Sequence, residues 1–171
     1  MVSTARGRLA VLGAMFALFG GVVASTAEAL DVGAKAPEIS LKDLSGKTVD
    51  LASLAGKVVI LDFWATWCAP CREEMPELQK FYAKYHAKGL EIVGISVDKA
   101  PDGIKDFIGK LKVTFPVVHD EGHKVADKYG PPRMPSSYII DKKGVVRYVH
   151  GGYRAGDAAT FEKEIQELLA K

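Results

Sequence analysis

Stretches with strand-like and helix-like spacing of apolar residues alternate along the chain from about residue 39 onward. Short apolar runs at 39–41 and 48–54 flank the turn residue Gly46, which predicts a small leading hairpin. Residues 57–63 are almost all β-branched, aliphatic or aromatic, as expected for a buried central strand. The chain therefore opens with strands, and the last of them should lie inside a core.

Helical spacing follows Cys71 and ends at Gly89. The apolar residues that recur at intervals of three and four are Met75, Leu78, Phe81, Tyr82 and Tyr85. Pro76 interrupts this pattern and should kink the helix. Residues 90–97 indicate a second buried strand and 104–111 a second helix. This β-α-β order predicts a parallel strand pair.

The remaining pattern completes one α/β domain over residues 30–171. A further helix is predicted at 123–129, and strands at 137–140 and 145–150 bracket a turn at Gly144. Residues 158–170 form a closing helix whose apolar face contains Phe161, Ile165, Leu168 and Leu169. Because the chain has no internal repeat or low-complexity linker, we predict no second domain.

The N-terminal residues have the composition of an export signal. Arg6 and Arg8 precede an uncharged, mostly apolar stretch at 9–24, and the sequence Ala-Glu-Ala at 27–29 is typical of a cleavage site. We therefore predict a signal peptide at 1–29 and a mature chain that begins near Leu30. The alternative is that residues 9–24 remain as a membrane anchor, although the run is short for a span and contains glycines. Either reading places the folded part in the periplasm or another extracytoplasmic space.

Charge and cysteine content narrow the possible functions. The chain has 23 basic and 21 acidic residues, a formal net charge of +2, which gives no electrostatic reason to expect nucleic-acid binding. Its only two cysteines, Cys68 and Cys71, are separated by Ala69 and Pro70. A disulfide between them would close too short a loop to stabilise an exported fold appreciably. The pair is better explained by reactivity.

Cys68 and Cys71 stand where the central strand passes into the first helix. The first turn of a helix offers unpaired N–H groups and a positive dipole end, both of which stabilise a thiolate. The pKa of Cys68 should therefore fall below its ordinary value of about 8.5, which makes Cys68 the nucleophile. Cys71, one turn later, is placed to attack a mixed disulfide as the resolving thiol. The competing interpretations are half of a zinc site and a pair of inert core thiols, and the chain has no second C-x-x-C.

A histidine-containing segment does not fit a metal motif. His119 and His123 occur in the order H-D-E-G-H rather than H-E-x-x-H, and Gly122 would break a helix between them. We interpret this segment as a solvated loop and predict neither a metal nor a cofactor.

The segment from Phe63 to Cys71, Phe-Trp-Ala-Thr-Trp-Cys-Ala-Pro-Cys, resembles the active-site segment of the thioredoxin superfamily. Together with the Arg-Glu-Glu-Met-Pro sequence at 72–76, the export signal and the leading hairpin, it is similar to the TlpA/ResA-like branch of extracytoplasmic thiol-disulfide oxidoreductases. The similarity extends from about Ala36 to the C-terminus. It implies a thioredoxin-like α/β fold, with a central mixed β-sheet flanked by helices and an N-terminal β-hairpin extension.

The resemblance also implies roles for acidic residues. Asp62 matches the buried aspartate of thioredoxins, so its pKa should be raised and it could exchange a proton with Cys71. Glu74 matches an acidic residue near the cysteines of ResA-like proteins, where it could tune thiol acidity. It could equally be a first-turn acid favoured by the helix dipole. Relatives often have an uncharged residue at the position of Asp62, so the presence of both acids is a mixed pattern.

Substrate contacts are implied in the same way. Met134-Pro135 matches the cis-proline of the superfamily, which presents the backbone of the preceding residue to a substrate. Ala69 and Pro70, between the cysteines, belong to the same binding surface. Trp67 is a candidate for a substrate platform, and Trp64 belongs either to that platform or to the core below it.

The resemblance implies a reductase that acts on disulfide-containing proteins and draws electrons from a membrane donor of the thiol-disulfide interchange type. Cytochrome c maturation and copper-site assembly are two options for its pathway. The sequence at 130–135 departs from the glycine-x-proline pattern expected for cytochrome-maturation members. A copper-binding metallochaperone and a peroxiredoxin-like thiol peroxidase are the alternative functions. The direction of electron flow stays open at this point, because the potential depends on thiolate stabilisation.

Overall fold

The computed structural model of the protein describes residue 1 and residues 30–171. The signal segment predicted at 1–29 therefore lies outside the described residues, apart from Met1. Among the residues that are described, no helix combines the length and the apolar character needed to span a bilayer.

The chain begins with the expected hairpin. Strands β1 (Ser40–Lys42) and β2 (Thr48–Asp50) pair in antiparallel register, with Leu41 opposite Val49. The prediction that the second strand continues to residue 54 is wrong. The Oδ1 atom of Asp50 accepts a hydrogen bond from the Ala52 N–H at 3.0 Å and starts a 3₁₀ helix, Leu51–Leu54. The aspartate thus offers the backbone an alternative to strand pairing.

The central sheet has five strands in the order β5-β4-β3-β6-β7. Their bounds are β3 Val58–Trp64, β4 Leu90–Ser96, β5 Val117–His119, β6 Ser136–Ile140 and β7 Val146–Gly151. Strand β3 pairs in parallel with β4 and antiparallel with β6, so the mixed sheet and the parallel pair predicted from the sequence are confirmed. Strand β5 was not predicted, because three residues are too few to display a periodic pattern.

Four α-helices complete the fold of residues 30–171. They are α1 Ala69–Tyr85, α2 Ile104–Lys110, α3 Ala126–Tyr129 and α4 Asp157–Leu169. Helix α1 continues through Pro76 as one element, and the kink expected at this proline stays a prediction. Met75 and Leu78 on either side of Pro76 are buried, and this packing supports the helix across the proline.

The helix predicted at 123–129 is shorter than expected. The α-helix begins only at Ala126, after a 3₁₀ turn at Glu121–His123. Gly122 and His123 adopt left-handed conformations with φ of 73° and 58°. Because an α-helix needs negative φ at every residue, it cannot begin until this turn has ended.

The buried core holds the central strand β3 in place, and β3 leads directly into the loop before Cys68. Every residue of β3 is buried, as is every residue of β4. The rings of Phe63, Tyr129 and Tyr138 meet in three mutual contacts, with centroids 5.2 to 5.7 Å apart. Aromatic contacts of this kind add to the stabilisation from buried apolar area. The C-terminal end of β3 is therefore a rigid support for the residues after Trp64.

Candidate active site

Cys68 and Cys71 form a disulfide at the start of α1, with their Cα atoms 5.4 Å apart. Cys68 is the N-cap of the helix, and its Sγ accepts a hydrogen bond from the backbone N–H of Cys71 at 3.3 Å. Pro70 lies in the first turn, where the missing N–H of proline costs no helical hydrogen bond. The sequence Cys-Ala-Pro-Cys thus starts the helix and places Cys68 at its positive end.

The two sulfur-bearing residues differ in access to solvent. Cys68 keeps 4% of its surface exposed, whereas Cys71 is completely buried. Trp67, directly before Cys68, is 69% exposed and is one of the few large apolar side chains of the described region that face solvent. A partner that approaches this edge therefore meets Trp67 and Cys68 before Cys71.

Asp98 holds the loop that carries Trp67. Its two carboxylate oxygens accept hydrogen bonds from the Thr66 backbone N–H at 3.1 and 3.2 Å, and Oδ1 also accepts one from the Thr66 hydroxyl at 2.7 Å. The Ser96 hydroxyl donates to Oδ2 at 2.8 Å. Asp98 was not predicted from the sequence as part of the site. The available signal was an aspartate placed directly after the buried strand at 90–97.

Two buried carboxyl groups meet at one serine. Asp62 is completely buried on β3, and Glu74, 1% exposed, lies on α1 one turn after Cys71. Ser137 Oγ on β6 lies 3.0 Å from Asp62 Oδ1 and 3.0 Å from Glu74 Oε1. Asp62 Oδ2 and Glu74 Oε2 are buried with no hydrogen-bond partner. The two acids singled out in the sequence are thus brought together by a residue that the sequence analysis missed.

The surroundings of the two acids favour their neutral forms. Burial raises the pKa of Asp62 to about 7, and the hydrogen bond with Ser137 opposes this rise. Burial, and then repulsion from Asp62, raise the pKa of Glu74 well above its ordinary range. Ser137 again opposes the rise, and Asp157 adds a smaller repulsion. The raised pKa expected for Asp62 is therefore present, and Glu74 is a buried acid rather than a solvated first-turn residue.

Ser137 could have been noticed in the sequence. Ser136 and Ser137 open a strand whose other members are apolar or aromatic, and both serines are buried. Buried hydroxyl groups require hydrogen-bond partners, so a serine on the central sheet indicates a polar group nearby. Which polar group it meets depends on the pairing of β3 with β6, which the sequence alone does not reveal.

The peptide bond between Met134 and Pro135 is cis, as the sequence comparison with thioredoxins implied. It directly precedes β6, and the first residue of that strand, Ser136, pairs with Phe63 near the end of β3. The proline therefore lies beside the strand that leads to the cysteines.

A groove of about 680 Å³ borders the exposed tryptophan. It is lined by residues of the active-site loop, the residue after β4, the 3₁₀ turn and α3, and the segment before β6: Trp67, Val97, His123, Ala126, Asp127, Gly130, Pro131, Pro132 and Met134. Two of the predicted substrate-binding residues, Trp67 and Met134, thus share one surface. Ala69 is exposed and Pro70 half-buried in the adjoining first turn of α1.

The two tryptophans have different environments. Trp64 is completely buried and stacks on Phe107, with ring centroids 5.1 Å apart. Trp64 is therefore part of the core below the site, and only Trp67 is available as a surface platform.

The histidine segment is more ordered than the solvated loop predicted for it. His119 is the last residue of β5, and its Nε2 lies 2.7 Å from the carbonyl oxygen of Asp98. Asp120 is buried and accepts hydrogen bonds from the backbone N–H groups of Val125 and Ala126. The prediction is wrong for His119, which ends β5, and for the buried Asp120, whereas residues 121–123 are exposed as expected. Over the region that the structure describes, no cluster of three His, Cys, Asp or Glu side chains is placed to hold a metal ion.

Comparison with known proteins agrees with this geometry. Residues 32–149 match the AhpC/TSA family. The thiol-disulfide oxidoreductase ResA of Bacillus thuringiensis (strain Al Hakam) is 40% identical over 131 residues, which cover 77% of this chain and 75% of ResA.

Solved structures of similar fold are also thiol-disulfide proteins. A Chlorobium tepidum crystal structure, described as a candidate thiol:disulfide interchange protein DsbE, superposes with a TM-score of 0.79 at 37% identity. The match covers 82% of this chain and 99% of that one. A secreted Mycobacterium tuberculosis disulfide oxidoreductase, homologous to E. coli DsbE, is 25% identical with a TM-score of 0.69 and covers 76% and 96% of the two chains. The chain therefore belongs to the AhpC/TSA family of thioredoxin-like proteins and, within it, to the ResA-like thiol-disulfide oxidoreductases.

Proposed function

We propose that this oxidoreductase works outside the cytoplasm as a disulfide reductase of partner proteins, with Cys68 as its nucleophile and Cys71 as its resolving thiol. One observation carries the proposal. The disulfide lies at the positive end of α1, and its more accessible sulfur adjoins an exposed tryptophan at the edge of a groove. A buried structural disulfide would need neither feature.

The reaction has two displacement steps. In the first, the Cys68 thiolate attacks one sulfur of the partner disulfide, which forms a mixed disulfide and expels the other partner sulfur as a thiolate. In the second, Cys71 loses its proton and attacks Cys68 Sγ, which releases the second partner sulfur. The partner gains two electrons, and Cys68 and Cys71 end as the disulfide seen in the structure.

Asp62 and Glu74 are the proposed acceptors of the Cys71 proton. Glu74 follows Cys71 by one turn on the same buried face of α1, and Asp62 is joined to Glu74 through Ser137. A base works best when its pKa lies near the operating pH, and burial moves the pKa of Asp62 into that range. The pair thus supplies a base in a part of the site that excludes water.

The groove beside Trp67 is the proposed docking surface for the polypeptide around the partner disulfide. Trp67 offers a large apolar face at little cost in side-chain entropy, because only two side-chain torsions have to be fixed. Met134 also lines this groove and is joined to Pro135 by the cis peptide bond, while Ala69 and Pro70 lie between the two cysteines in the chain. Contacts with a partner would then be largely apolar.

The cellular setting is also a proposal. The export segment predicted at 1–29, as a cleaved signal or as an anchor, would place the site in the periplasm or a comparable space, and the secreted M. tuberculosis relative supports this setting. There the disulfide must be reduced again after each turnover, so we propose a membrane thiol-disulfide interchange protein as electron donor. Apocytochrome c or a copper-site protein would be a suitable partner.

Trapping of partners tests the proposal. In Cys71→Ser the second displacement is blocked, so Cys68 should remain bonded to partner proteins in a periplasmic extract from the source cells. Cys68→Ser is the matched control and should trap far less, because the remaining cysteine is buried. Equal trapping by the two variants would contradict the assigned roles. Stoichiometric copper(I) binding without disulfide exchange would instead favour a metallochaperone.

A further inference from the structure

Ser137 contacts two carboxyl groups but has only one hydrogen to donate. Its Oγ lies 3.0 Å from Asp62 Oδ1 and 3.0 Å from Glu74 Oε1. A hydroxyl group can donate one hydrogen bond, and its oxygen can accept others. Both contacts are hydrogen bonds only if one of the two carboxyl groups is protonated and donates its hydrogen to Ser137 Oγ.

Within the part of the chain that the structure describes, no group other than Ser137 forms a side-chain hydrogen bond or an ion pair with Asp62 or Glu74. The outer oxygens, Asp62 Oδ2 and Glu74 Oε2, are buried without a hydrogen-bond partner. None of the ion pairs formed by residues 30–171 includes Asp62 or Glu74. Two negative charges so close together in a dry site would repel each other strongly. The arrangement therefore fits a pair that holds a single proton.

Among the described residues, the charged neighbour that acts on the pair from another element is itself acidic. Asp157, at the start of α4, adds a small repulsion that raises the pKa of Glu74 further. Burial, and then nearby carboxylates that include Glu74 and Asp157, raise the pKa of Tyr153 after β7. On α1, Cys71 lies one turn before Glu74 and is tied up in the disulfide. These surroundings favour the retention of a proton by the pair while the cysteines are oxidised.

We propose that Ser137 is a positioning residue that links Asp62 and Glu74 into one proton-holding unit, which in the disulfide form keeps the proton given up by Cys71. This inference rests on the proposed function. Before this transfer both carboxyl groups are ionised, and their mutual repulsion makes the pair a strong proton acceptor. When Cys71 attacks the mixed disulfide, its S–H bond breaks, a carboxyl O–H bond forms, and the partner leaves as a thiolate. When a donor reduces the disulfide again, the same proton returns to Cys71. The singly protonated pair thus belongs to the oxidised protein, which is the state seen in the structure.

The ionisation of the two side-chain carboxyl carbons, followed by NMR across pH in the oxidised full-length protein, tests this inference. In the unmodified protein, Asp62 and Glu74 should show a common inflection, because they share one proton. In Ser137→Ala the inflections should separate, and that of Asp62 should move upward by on the order of one pH unit because its hydrogen bond is lost. Ser137→Thr keeps a hydroxyl and should keep the common inflection.

Ser136→Ala is the matched control. Ser136 is also buried on β6, but its hydroxyl donates to the carbonyl oxygen of Arg133 and should not affect the pair. Independent inflections of Asp62 and Glu74 in the unmodified protein would overturn the proposal, and so would unchanged inflections in Ser137→Ala. If Ser137→Ala does not fold, Asp62→Asn replaces it. The Glu74 inflection should then move to lower pH, and an unchanged inflection would overturn the shared proton.

A kinetic measurement separates this inference from the proposed function. The rate of disulfide exchange should have a different pH profile in Ser137→Ala and an unmodified one in Ser137→Thr. If the unmodified protein exchanges no disulfides, the proposed function is overturned. The shared proton would still stand if the carboxyl titration shows it. A normal titration shift with an unchanged rate profile would show that the pair does not serve Cys71, and would overturn the link to the reaction.

Discussion

The backbone N–H of Cys71 donates a hydrogen bond to Cys68 Sγ, 3.3 Å away, in the first turn of α1. Once the disulfide is reduced, the same N–H can stabilise a Cys68 thiolate, whereas Cys71 is buried and has its side chain directed into the core. The two thiols should therefore differ in reactivity although they are only one turn apart.

This difference gives the first prediction. At neutral pH a small alkylating agent should modify Cys68 in the reduced protein faster than Cys71, by on the order of tenfold or more. Mass spectrometry of the singly modified protein identifies the cysteine that reacts first. Modification of Cys71 first, or equal modification of both, would contradict the assignment of Cys68 as the nucleophile.

The buried carboxyl group of Asp62 should make stability depend on pH. Burial raises the pKa of Asp62 in the folded protein from 3.8 to about 7, so between these pH values the folded state holds a proton that the unfolded state has lost. Stability is therefore expected to fall as the pH rises through this interval. Asp62→Asn removes the charge, so it should stabilise the oxidised protein by on the order of a few kcal/mol at about pH 8 and have little effect at about pH 4.

Urea unfolding of the oxidised protein at the two pH values measures this effect. Glu73→Gln is a suitable control, because Glu73 is an exposed neighbour of Glu74 and should change stability little at either pH. A destabilising effect of Asp62→Asn at the higher pH would show that the folded protein stabilises Asp62 as a carboxylate, which contradicts a raised pKa.

Asp98 should stabilise the loop before the cysteines. Asp98→Ala removes the acceptor for the Thr66 N–H and hydroxyl and leaves polar groups near the core without partners. We expect a loss of on the order of 2 to 3 kcal/mol in the free energy of unfolding. Asp102→Ala, at an exposed position in the following turn, is the control. A loss no larger than that of the control would mean that the loop does not depend on Asp98.

Truncation of Trp67 should affect substrate binding, whereas truncation of Trp64 should affect stability. Trp67→Ala should change the free energy of unfolding by less than about 0.5 kcal/mol but raise the KM for a protein disulfide, because Trp67 is exposed at the groove. Trp64→Ala should cost about 3 to 5 kcal/mol, because it removes a completely buried ring from the core. Unfolding curves and exchange kinetics on both variants check the contrast. An unchanged KM in Trp67→Ala would exclude a role of this side chain in docking.

Much of the fold follows from local patterns in the sequence. The two buried central strands have long continuous apolar runs, and the change to helical spacing after Cys71 marks the strand-to-helix junction at the cysteines. Short elements were the ones missed or misjudged. Strand β5 has only three residues, and the extended run at 48–54 ends at Asp50 because that side chain caps a 3₁₀ helix. A local hydrogen bond of Asp50 decides the 3₁₀ helix, and pairing with β4 decides β5. Neither effect is visible in the spacing of apolar residues.

The site was predictable to the extent that it resembles a known motif. Asp62, Glu74 and the cis bond before Pro135 followed from the resemblance to thioredoxins, but the serine that joins the two acids did not. Ser137 lies 75 residues after Asp62 and 63 after Glu74 along the chain. Only the antiparallel pairing of β3 with β6, with Asp62 opposite Ser137, brings the three residues together.

The equilibrium reduction potential of the Cys68–Cys71 disulfide tests the central claim most directly. It can be followed by tryptophan fluorescence in thiol buffers, because Trp67 adjoins Cys68 in the chain. A reductase that depends on a membrane electron donor should have a potential near that of thioredoxin, roughly −270 mV, or below it. A potential near roughly −120 mV would identify a disulfide-forming oxidant and contradict the proposed direction of electron flow.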